Sequence, residues 1–467
     1  MMSSVMTGGI IKMKKAGLIV SSLCLALGVS SAVHGAVSKS EANKLRDSLT
    51  PMGAERAGNK DGSIPPWRGG IQFPPKAYKQ PGQHHPDPFP SDQPIFTITA
   101  KNVAKYEKFL TDGQKALFKT YPDTFKMPIY QTRRTAAAPQ WIYDNTYNNA
   151  LNAKLIKGGN GVEGAMGGIP FPITNKGVEM IWNHNLRWRG EFAVRRASEV
   201  AVQRDGGYSL ITTQAEILYN YYRRDIGIKE LDNVGIYYLS FTKAPARLAG
   251  GAVLAHETIN QVEEPRRAWG YNAGQRRVRK APNLAYDTPV AAADGLRTID
   301  ETDMFNGSPD RYDWKFIEKK EIFIPYNNYR AGSPDVSYDQ LLKPGHINPD
   351  YARYEKHRVW VVEANLKSDQ RHIYHKRRFY LDEDSWGAAV IDMYDERGEL
   401  WRVSMAYLKS YYELPATWTA MDVFHDIQAR RYHVQGMDNE ERTTIDFSQA
   451  SPGERYFTPQ ELRRRGR

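Results

Sequence analysis

HKRRFYLDEDSWGAAVIDMYDERGELWRVSMAYLKSYY, His375 to Tyr412, is the stretch that decides how this chain is read, because it holds the clearest alternation of residues joined by turn chemistry. In its second half Trp401, Val403, Met405 and Tyr407 fall on one face, while Arg402, Ser404 and Lys409 interrupt the other. In its first half Ile391 and Met393 oppose Val390, Asp392 and Tyr394. Asp395-Glu396-Arg397-Gly398 lies between them, and its glycine supplies the positive φ that a short hairpin connection needs. Upstream, Asp382-Glu383-Asp384-Ser385 is a second turn, so Arg377 to Leu381 makes a third strand. His357 to Ala364, around Val359-Trp360-Val361-Val362, makes a fourth. The result is an antiparallel meander, and three or more strands with one apolar face can hold together where a lone hairpin cannot.

Outward from this core, strand-like runs extend back to Glu191. They comprise Glu191 to Gln203, a turn at Asp205-Gly206-Gly207, Tyr208 to Tyr222 with a stretch ambiguous between strand and helix, Gly235 to Thr242, Ala252 to Gln261, and a hairpin from Arg267 to Lys280 turning at Asn272 to Gln275. A helix is expected over Asn175 to Trp188, where Val178, Ile181, Trp182 and Asn185 recur at helical spacing. Thr50 to Pro94 carries ten prolines, each fixing φ and removing a backbone donor, so it should wrap over the surface in extended form, anchored by Trp67, Phe73, Tyr78 and Phe89. After it, Thr99 reads as the cap of a helix carrying Val103, Tyr106 and Leu110, interrupted by Asp112-Gly113.

The first residues have a different purpose. Lys12, Lys14 and Lys15 precede an uncharged run, Ala16 to Val29, and small residues up to Ala36, the pattern of a secretory signal peptide over residues 1–36. That run is shorter than the roughly 20 residues a bilayer span requires. The only cysteine, Cys24, lies within it behind Leu23, where a lipid-attachment site would want a small residue, so no lipoprotein anchor is expected. A mature chain without thiols excludes disulfides, cysteine catalysis and thiolate metal sites, and suits the periplasm. Loss of the three lysines lowers the formal charge from +11 to +8. Spread over a long chain rich in both signs, that excess does not point to nucleic acid. The terminal Arg463-Arg464-Arg465-Gly466-Arg467 reads as a solvated helix end, with a peripheral contact to anionic headgroups as the sharper alternative.

Chemistry is scarce. The chain has no Gly-x-Ser-x-Gly elbow and no His-Glu-x-x-His. The glycine-rich run Gly158 to Gly168 lacks the following Lys-Ser/Thr of a phosphate cradle, and Pro170 and Pro172 intervene before the helix. His372 and His375 are three apart and would point to opposite faces of a strand; His84-His85 sit in the proline-rich stretch. Asp382, Glu383 and Asp384 are carboxylates in a turn, where acidic residues collect in any case. No catalytic residue, metal ligand or cofactor is assigned. Tyr and Trp are abundant in the strands, a composition suited both to packing and to a surface meeting amphipathic ligands.

LTPMGAERAGNKDGSIPPWRGG (Leu49 to Gly70), GGIPFPITNKGVEMIWNHNLRWRG (Gly167 to Gly190), AWGYNAGQRRVRKAPNLAYD (Ala268 to Asp287) and DMFNGSPDRYDWKFIEKKEIFIPYN (Asp303 to Asn327), with the meander after them, resemble in order the secreted bacterial family catalogued as domain of unknown function 1329. That family is grouped with the outer-membrane lipoprotein sorting proteins. The resemblance implies a mainly β (α+β) fold: a curved antiparallel sheet forming an incomplete β-barrel with helices on the concave side, over residues 131–467, behind a proline-rich N-terminal wrap and short helices in 37–130. It also makes Met304 to Ser308 similar to the loop that covers the cavity in those carriers, and it implies efflux-pump-like inner-membrane transporters and outer-membrane proteins as partners.

Residues and resemblance together give the expectation of a periplasmic, non-enzymatic carrier for a hydrophobic ligand such as a lipid or acyl chain, lined by Trp360, Val362, Trp401, Val403 and Met405. Water charges about 0.8 kcal/mol per exposed methylene, so a long chain crosses an aqueous compartment only under cover. The alternative is a scaffold subunit whose aromatic faces are packed solid and whose exterior docks a transporter.

Overall fold

The meander around Asp395 to Gly398 is the middle of one large sheet. The structure, a computed structural model, describes residues 36–281 and 284–466; apart from Ala36, the leader read over 1–36 lies outside them. In chain order the strands are β1 Phe96–Ile98, β2 Met127–Tyr130, β3 Lys154–Ile156, β4 Gly161–Glu163, β5 Phe192–Val202, β6 Ile211–Leu218, β7 Val234–Ala244, β8 Ala252–Thr258, β9 Arg267–Asn272, β10 Arg277–Lys280, β11 Tyr312–Pro325, β12 Tyr354–Leu366, β13 Lys376–Asp382, β14 Ala388–Tyr394, β15 Leu400–Tyr411, β16 Ala416–Asp426 and β17 Arg431–Met437. Hydrogen bonding runs β1-β2-β12-β13-β14-β15-β16-β17-β5-β6-β7-β8-β9-β10, with β11 also paired to β12; β3 and β4 form a separate hairpin. Every pairing is antiparallel except that of β2 with β12. The path ends at β1 and β10 without joining them, so the barrel stays incomplete.

The helices are α1 Lys39–Ala42, α2 Asp112–Thr120, α3 Gln140–Asn152, α4 Gly177–Asn185, α5 Tyr338–Leu341 and α6 Pro459–Arg465. α4 and the hairpin β9–β10 fall where the sequence places them. Three readings are corrected. The segment after Thr99 is a 3-10 helix over Val103–Phe109, and Asp112-Gly113 opens a helix instead of interrupting one, because Thr111 and Gln114 form a capping box. Strands continue past Tyr412 through β16 and β17, and Val434 pairs with Val200, which joins the two halves of the sheet. Phe73 is no anchor of the wrap, being 82% exposed, whereas Trp67 is buried and donates to the Ala136 carbonyl at 2.9 Å.

Register sorts the side chains into two rows. Val361, Tyr380, Val390, Met405, Val423, Val434 and Val200 oppose one another across seven strands and share one face. Val362, Phe379, Ile391, Ser404, Phe424, His433 and Ala201 share the other. The first row is apolar and lies beneath α2, with the backbone of Gly113 against Val403 and Asp392. The second is mixed and lies beneath α4 and residues 291–308. From β13 to β17 nearly every residue is buried, so the middle of the sheet is covered on both faces.

The proline-rich segment runs along one rim, where β12 begins and β13 ends. Arg134 donates to the Glu55 carbonyl at 2.8 Å, Arg358 to Ala57 at 2.7 Å and the Trp386 indole to Met52 at 2.7 Å. Further along, His85 meets Glu413 at 2.9 Å and Thr444 donates to the Gly82 carbonyl at 3.0 Å. These partners supply the hydrogen bonds that a strand would otherwise give a backbone rich in proline.

Asp392 makes the cover by α2 sensitive to pH. It accepts from the Thr111 hydroxyl and the Gly113 amide, each at 3.0 Å, yet burial and the neighbouring Asp112 charge push its carboxyl up to about 7. Between the ordinary range near 3.8 and that value, the unfolded chain has lost its proton while the folded one keeps it, so this group's contribution to stability falls as pH rises through the window. Asp392→Asn removes the titration. Its melting temperature relative to wild type should rise between pH 5 and pH 8 in thermal melts; a flat difference would contradict the account.

Candidate functional site

The face carrying Val362 has the features of a site, because the segment covering it is held by charge rather than by strand pairing. Residues 291–308 cross it with four acidic or basic side chains turned inward, Arg297, Asp300, Glu301 and Asp303. Arg297 stacks over Phe424 at 5.5 Å, with Glu199 3.7 Å away. Asp300 pairs with Arg377 at 2.6 Å and with His372 at 3.1 Å. Glu301 accepts from the Tyr374 hydroxyl at 3.0 Å. Asp303 binds Arg187 at 2.7 Å, Arg189, and the Trp418 indole at 2.9 Å. From β15, Arg402 donates to the Gly295 carbonyl at 2.8 Å.

Asp300 and Asp303 are buried, which alone would raise their carboxyls. The guanidinium groups of Arg377, Arg187 and Arg189 outweigh that and hold both well below the usual carboxylate range. The same burial pushes His184 down to about 3; its Nδ1 accepts from the Ala388 amide at 3.0 Å, which leaves Nε2–H to donate to the Asp303 carbonyl at 3.1 Å. The clamp therefore persists across the ordinary pH range.

Between the charges sits one aromatic plug. Phe305 is 1% exposed, 5.4 Å from the Trp314 ring and 5.5 Å from that of Phe379. Trp314 is also a wall of an open cleft of about 220 Å³, lined by Gly158, Gly159 and Asn160, Val178 of α4, Tyr312 and Lys367, with Pro309, Asp310 and Asp313. The glycine-rich run thus borders a cleft, but Asp310 and Asp313 stand beside it and Lys367 is engaged by the Asp310 carbonyl at 2.7 Å, an arrangement that repels phosphate.

The residues expected from sequence to line a cavity do not share a face. Val362 lies beside Phe379 under the clamped segment, with no exposed surface. Trp360 stacks on Trp386 at 5.6 Å and meets the Lys319 ammonium at 4.3 Å. A bulge beside Met393 shifts Trp401, whose ring contacts Tyr374 and whose indole donates to Asp426 at 3.0 Å. Val403 and Met405 are buried on the opposite face, in the row facing α2. Trp314 escaped the sequence reading because alternation in β11 is broken by Glu318, Lys319 and Lys320 and by a bulge after Phe316.

A second buried centre lies at the rim. The acidic turn after β13 is enclosed: Asp384 takes a bidentate pair from Arg134 at 2.8 and 2.6 Å, and Glu383 accepts from Arg358 at 2.6 Å. His357 lies against Tyr326 at 4.0 Å between ring centroids, and burial pushes Asp382 up to about 6.

Residues 97–463 match the family model described as a protein of unknown function, DUF1329, and the chain belongs to that family. An uncharacterized protein of Pseudomonas aeruginosa is 48% identical over 455 residues, 97% of this chain and 100% of its own length. Among solved structures, a putative outer membrane lipoprotein-sorting protein domain from Vibrio parahaemolyticus aligns over 62% of this chain and 98% of its own, at 15% identity and a TM-score of 0.40. A DUF1329 family protein from Desulfovibrio piger aligns over 58% and 92%, at 12% identity and 0.40, and a LolA superfamily protein from Nitrosomonas europaea over 61% and 98%, at 12% and 0.36. Among the described residues, no helix is long and apolar enough to cross a membrane.

Asp303→Asn tests the clamp. It leaves Arg187 and Arg189 buried without their counterion, a change that costs about 3–5 kcal/mol in comparable pairs. The melting temperature should fall, and hydrogen exchange should accelerate across 291–308 while the amides of β14 and β15 stay protected.

Proposed function

We propose that this member of the family is a non-catalytic binding and carrier protein of the periplasm that shields a hydrophobic ligand, such as a lipid or an acyl chain, against the Val362 face of its sheet. The observation that carries the reading is the seat of Phe305: an apolar ring from a segment outside the sheet fills the space between Trp314 and Phe379, beside a cleft open to solvent. In this reading the apolar end of a ligand enters past Gly158 to Asn160 and takes the place of Phe305 against Phe379, Val362 and Ile391. A cleft of about 220 Å³ is smaller than the roughly 300–1,000 Å³ of most small-molecule sites, so alone it holds only the tip of a ligand. Displacing Phe305 exchanges one apolar contact for another, and each further methylene covered gains about 0.8 kcal/mol.

Trp360 and Val362 are the lining residues on this face, Trp401 flanks it, and Val403 and Met405 support the sheet from behind. The leader over residues 1–36 supports export, and docking to an efflux-pump-like transporter and an outer-membrane protein fits a carrier working between two membranes. A scaffold role is the second reading. It is favoured by the complete burial of Val362, Val403 and Met405, which leaves these three residues no free surface in the conformation described.

Phe305→Ala separates the two. In the mature chain it should lower stability by about 3–5 kcal/mol, as aromatic truncations in cores do, and should tighten binding of a fluorescent fatty-acid analogue at least tenfold. Adding Val362→Asp should abolish the gain. If neither wild type nor Phe305→Ala takes up the probe, the carrier reading fails and the scaffold stands.

A further inference from the structure

The rim centre holds an arrangement that neither ligand binding nor packing accounts for. His357, Asp382 and Asp384 are all buried, and one donor atom from each lies within 4.8 Å of the others. His357 offers Nε2 to Glu355 Oε2 at 3.2 Å, which leaves Nδ1 facing Asp382 Oδ1 at 3.6 Å. That separation is too long for a hydrogen bond. Asp382 Oδ2 is satisfied by the amide and hydroxyl of Ser385, at 3.1 and 2.6 Å, whereas Oδ1 is buried and accepts no hydrogen bond. A buried carboxylate oxygen without a donor is expensive, and here it points at a ring nitrogen whose other side is already oriented by a carboxylate.

We propose that His357 Nδ1, Asp382 and Asp384 form a site for one divalent transition-metal ion of the zinc or manganese class. Two atoms each about 2.1 Å from a tetrahedral zinc stand about 3.4 Å apart, close to the separation of Nδ1 and Oδ1. Glu355 plays the part of the outer carboxylate that orients a ligating histidine. The Arg134 fork uses two acceptor positions of Asp384, and a carboxylate has about four. A hole of about 10 Å³ lined by Asp384, Ser385 and Thr417, with Met52, Ala136, Ala137 and Trp188, has room for about one water as the remaining ligand. Because the Trp386 indole and Arg134 tie this turn to Met52 and Glu55, the ion would staple the N-terminal wrap to the rim.

Calorimetric titration of the EDTA-stripped mature protein with Zn²⁺ and with Mn²⁺ tests the site. One ion per chain is expected with either metal, with a higher melting temperature on binding, and with at least a tenfold loss of affinity in His357→Gln and in Asp382→Asn. Absence of stoichiometric uptake by wild type overturns the proposal whether or not the variants fold. Equal affinity in a folded His357→Gln also overturns it, and would assign the ion elsewhere, for example to His84 in the wrap.

Discussion

Buried carboxylates decide how this sheet is covered. A charge taken out of water carries a penalty of several kcal/mol unless a partner meets it with good geometry, so an ionised acid above the strands fixes the position of a base. Some of those bases sit on the neighbouring strand, as Arg402 does for Asp426 and Arg378 for Glu363, but the pairs that hold the cover do not. Arg134 lies before α3, Arg187 and Arg189 follow α4, and Asp300 and Asp303 belong to the irregular segment they anchor. The ion pairs therefore work across layers, as registration points telling loops without repeating backbone geometry where to lie. Apolar burial could hold the same loops down, but it is non-directional and would not choose among nearby positions.

The two faces use this device differently. On the face of Val361 an unbroken apolar row meets α2, and Asp392, the buried acid beneath that helix, is satisfied by neutral donors. Opening that interface would expose a continuous hydrophobic stripe and gain nothing in return. On the face of Val362 the cover is pinned at several charged points, with one aromatic ring between them. On the proposed carrier reading, an apolar ligand would replace the ring without disturbing the row beneath, so the second face is the one suited to exchange.

Much of the fold was legible and much of the site was not, for the same reason. β12 to β15 alternate cleanly because both ends of each strand are punctuated by turn residues, and the hairpin of β9 and β10 announces itself through Asn272 and Gly274. β16 and β17 carry Asp422, His425, Asp426 and His433 at buried positions, so a reading that equates burial with apolarity ends the sheet too early. The acidic turn at Asp382 to Asp384 looks like any exposed turn until Arg134, some 250 positions earlier in the chain, is seen to cover it. Periodicity reports which side chains share a face; it cannot report which distant cation makes a buried anion tolerable. Periodicity did not mark Phe305 as a plug, because its role is set by Trp314 and Phe379; only the family resemblance pointed to its loop.

Backbone conformation adds a last term to the balance between closed and open cover. Asp303 and Met304 are both left-handed, with φ of 55° and 68°. Aspartate tolerates that region, but methionine enters it rarely, and a non-glycine residue held there stores on the order of 1–3 kcal/mol. The turn is what points Asp303 at its two arginines while sending Phe305 down between Trp314 and Phe379. The arginine clamp and the buried ring thus over-determine a strained pair of residues. Were the segment to lift, as the proposed carrier role requires, the ion pairs and the ring contact would be lost and the strain released at the same step. On the proposed carrier reading, the closed cover would be less stable relative to an open one than its contacts suggest, and a ligand replacing the ring contact would have only the charged contacts left to overcome.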